Sequence, residues 1–153
     1  MPSFAVDRTL GRLAKWLRIM GFDTVCEADA TGCDYPGIPA EGRILLTRNS
    51  AKEKDNDPDL LLLIRSDHVL EQLQQVVRSL DIGLQDVAMF SRCLQCNRPI
   101  EAVAKPDVRH RVPDYIYETH HQFSRCPNCR RIYWPGTHAA RSREVVRRVF
   151  EQP

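Results

Sequence analysis

The chain has no apolar run approaching the roughly 20 residues that a membrane-spanning helix needs, and its first residues lack the charged-then-apolar pattern of an export signal. Neither a membrane protein nor a secreted one is expected. Six cysteines without a secretion signal then imply metal-bound and free thiols in a reducing cytoplasm, not a disulfide framework. Acids are nearly missing between positions 125 and 148, where Arg125, Arg130, Arg131, Arg141, Arg143, Arg147 and Arg148 face Glu144 alone. From Asp23 to Asp59 the balance is the reverse, so a net charge of only +2 conceals two regions of opposite sign. That separation suits a protein that handles a cation and a polyanion together, although any single charge is as readily ordinary solvated surface.

What is present begins with length. At 153 residues and 42% hydrophobic composition, the chain fits one medium domain, or a small domain joined to a metal-stapled module. Four of the cysteines form two Cys-x-x-Cys pairs, Cys93/Cys96 and Cys126/Cys129, each set among polar and basic residues. Two such hooks can surround one Zn²⁺ tetrahedrally, and the intervening segment is long enough for the strands of a zinc ribbon. With four thiolates available, His110, His120 and His121 are not needed as ligands. Cys26 is expected to be buried behind a strand and Cys33 to lie in a loop; neither is given a role.

Periodicity supplies the rest of the organisation. Phe4-Ala5-Val6 reads as a strand ending at Asp7, followed by a helix over about 10–20 with Leu10, Leu13, Ala14, Leu17 and Met20 on one face and Arg12 and Lys15 opposite. Gly21 ends that helix, and Thr24-Val25-Cys26 is a second strand. The runs 43–47 and 60–64 are apolar enough for strands covered on both faces; one short helix is expected between them, and an amphipathic helix over 69–80 after them. Apolar strands alternating with helices predict a small parallel α/β sheet over residues 1–86. Residues 87–153 are expected to form the zinc ribbon and a closing basic helix over about 139–150.

In open α/β sheets ligands bind beyond the carboxyl ends of the strands. That rule selects Asp7, the run Thr47-Arg48-Asn49, and Ser66-Asp67, with Asp29 and Asp34 in a loop able to reach the same end. Carboxylates gathered there would call for Mg²⁺ or Mn²⁺, which activates water and offsets the charge of a phosphodiester. A lone aspartate in that position is equally a helix N-cap.

Specific motifs sharpen this. Phe4-Ala5-Val6-Asp7, then Leu10-Gly11-Arg12-Leu13-Ala14-Lys15-Trp16-Leu17-Arg18 and Gly21-Phe22-Asp23, resemble the opening of the Mut-seven C-terminal RNase domain, a PIN-like nuclease family carrying a zinc ribbon. Arg43 to Arg48, Phe90 to Asn97, and Cys126-Pro127-Asn128-Cys129 leading to Trp134-Pro135-Gly136-Thr137-His138 resemble its later signatures, in order and over nearly the whole chain. The resemblance implies a Rossmann-like (PIN-like) sheet whose acidic strand ends bind divalent metal and cleave RNA, with Asp7 as the first metal-binding carboxylate. The family's Thr-Arg-Asp falls on Thr47-Arg48-Asn49, so an amide stands where an acid is usual, and Asp67 is the candidate to compensate.

Arg12, Lys15, Arg18 and Arg48 are candidates for steering a phosphate backbone towards that end, or simply an exposed basic face. Trp134 and His138 are candidates for contacting unpaired bases, or, for the ring, for packing on the zinc module. Two functions follow: a metal-dependent endoribonuclease acting on single-stranded RNA, weakened by Asn49, or a catalytically inactive zinc-ribbon RNA-binding or adaptor protein. A purely structural module with no nucleic-acid role fits the arginine-rich end least well.

Overall fold

The structure, a computed structural model, describes residues 1–27 and 42–151. Asp29, Asp34 and Cys33 therefore lie outside the described residues. Four short strands, β1 (Phe4–Val6), β2 (Thr24–Cys26), β3 (Ile44–Thr47) and β4 (Leu61–Leu63), form an all-parallel sheet in the order β2-β1-β3-β4. This is the expected α/β fold. Val6 sits opposite both Cys26 and Leu46, so Asp7 emerges at the centre of the carboxyl edge. Phe4, Val6, Leu45 and Leu46 are inaccessible to solvent, as continuous apolar runs in central strands should be. The expected burial of 60–64 holds only for Ile64; Leu61, Leu62 and Leu63 are half-buried because β4 has a single neighbour among the described strands.

Helix α1 (Gly11–Ile19) follows a 3₁₀ turn, Arg8–Leu10, which is N-capped by the Asp7 side chain. It runs from the carboxyl edge of the sheet back to the amino edge. Gly21 closes it at φ +96°, and a Cβ there would come within 2.3 Å of the Ala88 carbonyl oxygen, so only glycine fits. The amides of Ala88 and Phe90 donate to the carbonyls of Met20 and Ile19, satisfying the end of α1 from a segment far along the chain. Two 3₁₀ turns, Ser50–Lys54 and Pro58–Leu60, replace the single short helix expected between β3 and β4. Helix α2 (Val69–Ser79) buries Leu73, Val76 and Val77 in the same core.

Strand β5 (Glu101–Val103), helix α3 (Asp114–Thr119) and strands β6 (Phe123–Arg125) and β7 (Ile132–Tyr133) build the cysteine-bearing module, an antiparallel sheet in the order β5-β6-β7. Val108, Val112 and Phe123 form its own small cluster. Helix α4 (Thr137–Glu151) leaves this module and packs on α2, placing Val146 and Val149 in the main core.

Both outer strands of the parallel sheet end on side-chain partners. At β2 the outward amide of Thr24 donates to Asn97 Oδ1 (2.9 Å), and its carbonyl accepts from Arg18 Nε (2.9 Å). At β4, Gln75 Nε2 donates to the Leu63 carbonyl (2.7 Å), and Gln75 Oε1 accepts from the Arg65 amide (3.0 Å). Arg18 thus differs from the solvent-facing phosphate ligand expected of it. It is 5% exposed, and its other arm donates to the Leu94 carbonyl inside the first cysteine hook (2.8 Å). Its planar fork suits it to bridging two carbonyls.

Replacing Arg18 with Met keeps the length of the side chain but leaves the Thr24 and Leu94 carbonyls without these donors. Unpaired buried acceptors cost about 1–3 kcal/mol, so the urea unfolding free energy of Arg18→Met should fall by that order. An unchanged midpoint would refute the structural role.

Candidate active site and metal centre

Each parallel strand delivers a polar residue to the carboxyl edge. In spatial order these are Glu27 after β2, Asp7 after β1, Thr47 at the end of β3 with Arg48 and Asn49 beyond it, and Asp67 after β4. Asp7 is 6% exposed. Its Oδ1 accepts from the Thr9 hydroxyl (2.6 Å) and amide (3.1 Å), and its Oδ2 from the buried Thr47 hydroxyl (2.5 Å) and the Arg48 amide (3.4 Å). Burial, the largest single influence, opposes ionisation. The two hydroxyls and two amides together outweigh it and hold the carboxyl below its ordinary value. Asp7 is therefore a buried carboxylate and an N-cap at once.

Asn49 and Asp67 are arranged differently. The Asn49 carboxamide oxygen accepts from the Ala51 amide (3.0 Å), capping the 3₁₀ turn Ser50–Lys54. Asp67 is exposed and ion-paired with the Arg48 guanidinium, while the Arg48 amide points at Asp7. Positions 7 and 67 thus meet through one arginine, and the Asn49 oxygen is occupied locally. Sequence reasoning passed over Glu27. Its carboxylate accepts from the Arg8 amide (2.9 Å), one residue beyond Asp7, and the strand-end rule that selected Asp7 selects it too. Arg12 and Lys15 are exposed on α1, as expected, and His138 is exposed at the start of α4.

The cysteines converge as their spacing demands. The sulfurs of Cys93, Cys96, Cys126 and Cys129 all lie within 4.8 Å of one another; among the described residues no other set of three or more His, Cys, Asp or Glu is gathered in this way. Sulfurs at roughly 2.3 Å from a tetrahedral zinc are about 3.8 Å apart, and Cys93 and Cys129 Sγ are 3.7 Å apart. The cluster can hold a metal such as zinc. The two hooks share one construction. The amide of Cys93 donates to the Arg98 carbonyl and that of Asn97 to the Cys93 carbonyl; in the second hook Cys126 donates to Arg131 and Arg130 to Cys126. Asn97 and Arg130 occupy equivalent left-handed positions, with φ of 63° and 64°.

Tyr133 donates its hydroxyl to Cys93 Sγ (3.1 Å) and accepts from the Leu94 amide (3.1 Å), so its polar end serves the metal centre. Burial disfavours the Cys93 thiolate, but the Tyr133 hydroxyl and the Cys96 and Gln95 amides more than compensate, holding its pKa down to about 7. Trp134 faces the other side of β7, half-buried against the Val108, Val112 and Phe123 cluster. The first hook docks at the amino edge of the parallel sheet. Besides its bond to Thr24, Asn97 donates to Asp23 (2.6 Å), whose carboxylate is held by Arg43 at 2.8 and 3.1 Å. Metal centre and carboxylate edge therefore lie at opposite ends of α1.

Metal analysis should find one zinc per chain, and Cys126→Ser should abolish retention and lower the melting temperature. Protons compete for the sulfurs, so zinc should be released on acidification and not on raising the pH. Asp7→Ala removes the acceptors of the Thr9 and Thr47 hydroxyls and of two amides, and should cost about 1–3 kcal/mol at neutral pH. Because the folded pKa of Asp7 lies below the ordinary value of 3.8, its contribution is complete above about pH 4. It disappears as the pH falls through the lower folded value, so wild type and Asp7→Ala should converge in stability in strong acid. A gap that persists there would contradict this reading of the carboxylate.

Among the described residues no helix is long and apolar enough to cross a membrane. No curated protein and no solved structure matches the chain. The Mut7-C RNAse domain matches residues 2–146, from the residue before Ser3 to the buried Val146 of α4, so the match takes in the carboxylate edge and all four cysteines alike. An RNase domain points to RNA as the substrate class. The chain belongs to the Mut7-C RNAse domain family.

Proposed function

We propose that this protein is a cytoplasmic, metal-dependent endoribonuclease of PIN-like type that cleaves single-stranded RNA at the carboxyl edge of its parallel sheet. The supporting observation is Asp7, a buried carboxylate kept ionised at the central strand end, with the Glu27 carboxylate on the amide of Arg8, the next residue along the chain. Mg²⁺ is typically held by one or two protein carboxylates together with water and substrate phosphate, so two carboxylates at this edge would serve without a complete protein cage. When bound, such an ion offsets phosphate charge and lowers the pKa of water. Asp7 and Glu27 supply its negative ligands, and Asp29 and Asp34 are further candidates. The Arg48–Asp67 pair sits beside them, with a guanidinium able to exchange its carboxylate for a substrate phosphate. Arg12 and Lys15 line the outer face of α1 from this edge and favour a polyanion along it.

In this reading residues 1–86 carry the chemistry. Residues 87–153, with structural Zn²⁺ in the four-cysteine site, grip the RNA.

A second reading has its own support. All the acceptor capacity of Asp7 is taken by neutral donors, and the amide of Asn49 brings no charge, both of which favour an RNA-binding protein without turnover. End-labelled single-stranded RNA incubated with zinc-loaded protein, with and without Mn²⁺, separates the two. Mn²⁺-dependent cleavage should fall by about 100-fold or more in Asp7→Asn, while Asn49→Asp, which restores an anionic ligand, should raise it by about tenfold. Cleavage by Asn49→Asp alone, or by neither protein despite RNA binding, would leave the second reading standing.

A further inference from the structure

The cysteine module presents a groove away from the carboxylate edge. It has a volume of about 430 Å³ and is lined by Gln95, Arg111, Cys129, Arg130, Arg131, Ile132 and Trp134. Three of these are exposed arginines, and none of the lining residues is acidic. Ile132 of β7 and Trp134 just beyond it pack against the Val108, Val112 and Phe123 cluster, and both also line the groove. The Arg111 guanidinium donates to the Arg130 carbonyl (3.2 Å), which ties Arg111 to the second cysteine hook.

Arg130 supplies an independent pointer. It occupies a left-handed position that arginine adopts at a cost, whereas Asn97 at the same place in the twin hook is suited to it. Asn97 uses its side chain to bind the sheet. Arg130 lines the groove instead, so the strained position presents a cation at the rim.

We propose that this groove binds one unpaired nucleotide of an RNA strand, its base stacked against Trp134 and its phosphates met by Arg111, Arg130 and Arg131. A planar aromatic wall beside clustered guanidinium groups is the chemistry by which single strands are held without sequence readout. An acidic peptide would use the arginines but has no need of the ring. The inference rests on RNA being the ligand of this protein, and it names a binding site separate from the catalytic edge. Helix α1, about 14 Å long by its nine residues, joins the two ends and carries Arg12 and Lys15 on its exposed face.

Binding is best measured by fluorescence anisotropy on zinc-loaded Asp7→Asn protein without added Mg²⁺ or Mn²⁺, so that turnover plays no part. The probes are a labelled oligoadenylate and the same backbone with abasic positions. The triple variant Arg111→Gln/Arg130→Gln/Arg131→Gln, altered only at exposed positions, should bind oligoadenylate at least about tenfold more weakly at low salt, with a log–log salt slope shallower by about 2. Trp134→Leu, checked for zinc content, should lose about tenfold for oligoadenylate and little for the abasic strand. Unchanged affinity in the triple variant, or equal binding of both probes by the parent, overturns the nucleotide site while leaving the ribonuclease reading intact. Failure of the parent to bind any RNA overturns both.

Discussion

The outward side of one residue, Thr24, joins the two halves of this molecule. Its amide and carbonyl would face solvent on a bare border strand; instead they meet Asn97 from the first cysteine hook and Arg18 from α1. Arg18 reaches on to Leu94, and Arg92 donates to the carbonyl of Gly21, so the hook, the end of α1 and the start of β2 form one hydrogen-bonded seam. Seam and metal depend on each other. The left-handed turn that aims Asn97 at Thr24 is the same turn that brings Cys96 round towards Cys93, and metal coordination would lock both.

Docking at the amino edge has a topological effect. Parallel strands put their polar chain ends on one side, and here the stabilising module occupies the other. The carboxylate edge is left free of it, and Asp7 can be stabilised by short-range donors alone: Thr9 from its own turn, Thr47 and Arg48 from the neighbouring strand. Glu27 and the Arg48–Asp67 pair flank it on the two sides.

Much of this was legible in the residues. The apolar run 43–47 marked a strand with a buried centre, the face formed by Leu13, Ala14 and Leu17 gave α1, and Cys-x-x-Cys repeated at a distance gave the cysteine cluster. Arg18 was misread because its partners lie in other elements, Leu94 being 76 positions away; no local pattern distinguishes an arginine that bridges carbonyls from one in water. Asn49 was recognisable as a departure from an acid, and its place just before Ser50–Lys54 also fits the preference of asparagine for N-caps. The apolar run 60–64 marked a strand but not its rank in the sheet, which depends on pairing order. Trp134 was read as a ring that packs on the module or meets a base, while the role of its neighbour Tyr133 at the sulfurs depends on Cys93, 40 positions away.

The carboxamides of Asn97 and Gln75 have a shared consequence for how this protein meets other chains. An amide side chain is a short counterfeit of the peptide unit, and one is stationed at each flank of the sheet where a fifth strand would otherwise register. An incoming segment must first evict it, at Thr24 on one flank or at Leu63 and Arg65 on the other. Among the described residues the ladder thus meets a side-chain amide at each flank, which works against edge-to-edge pairing of the sheet.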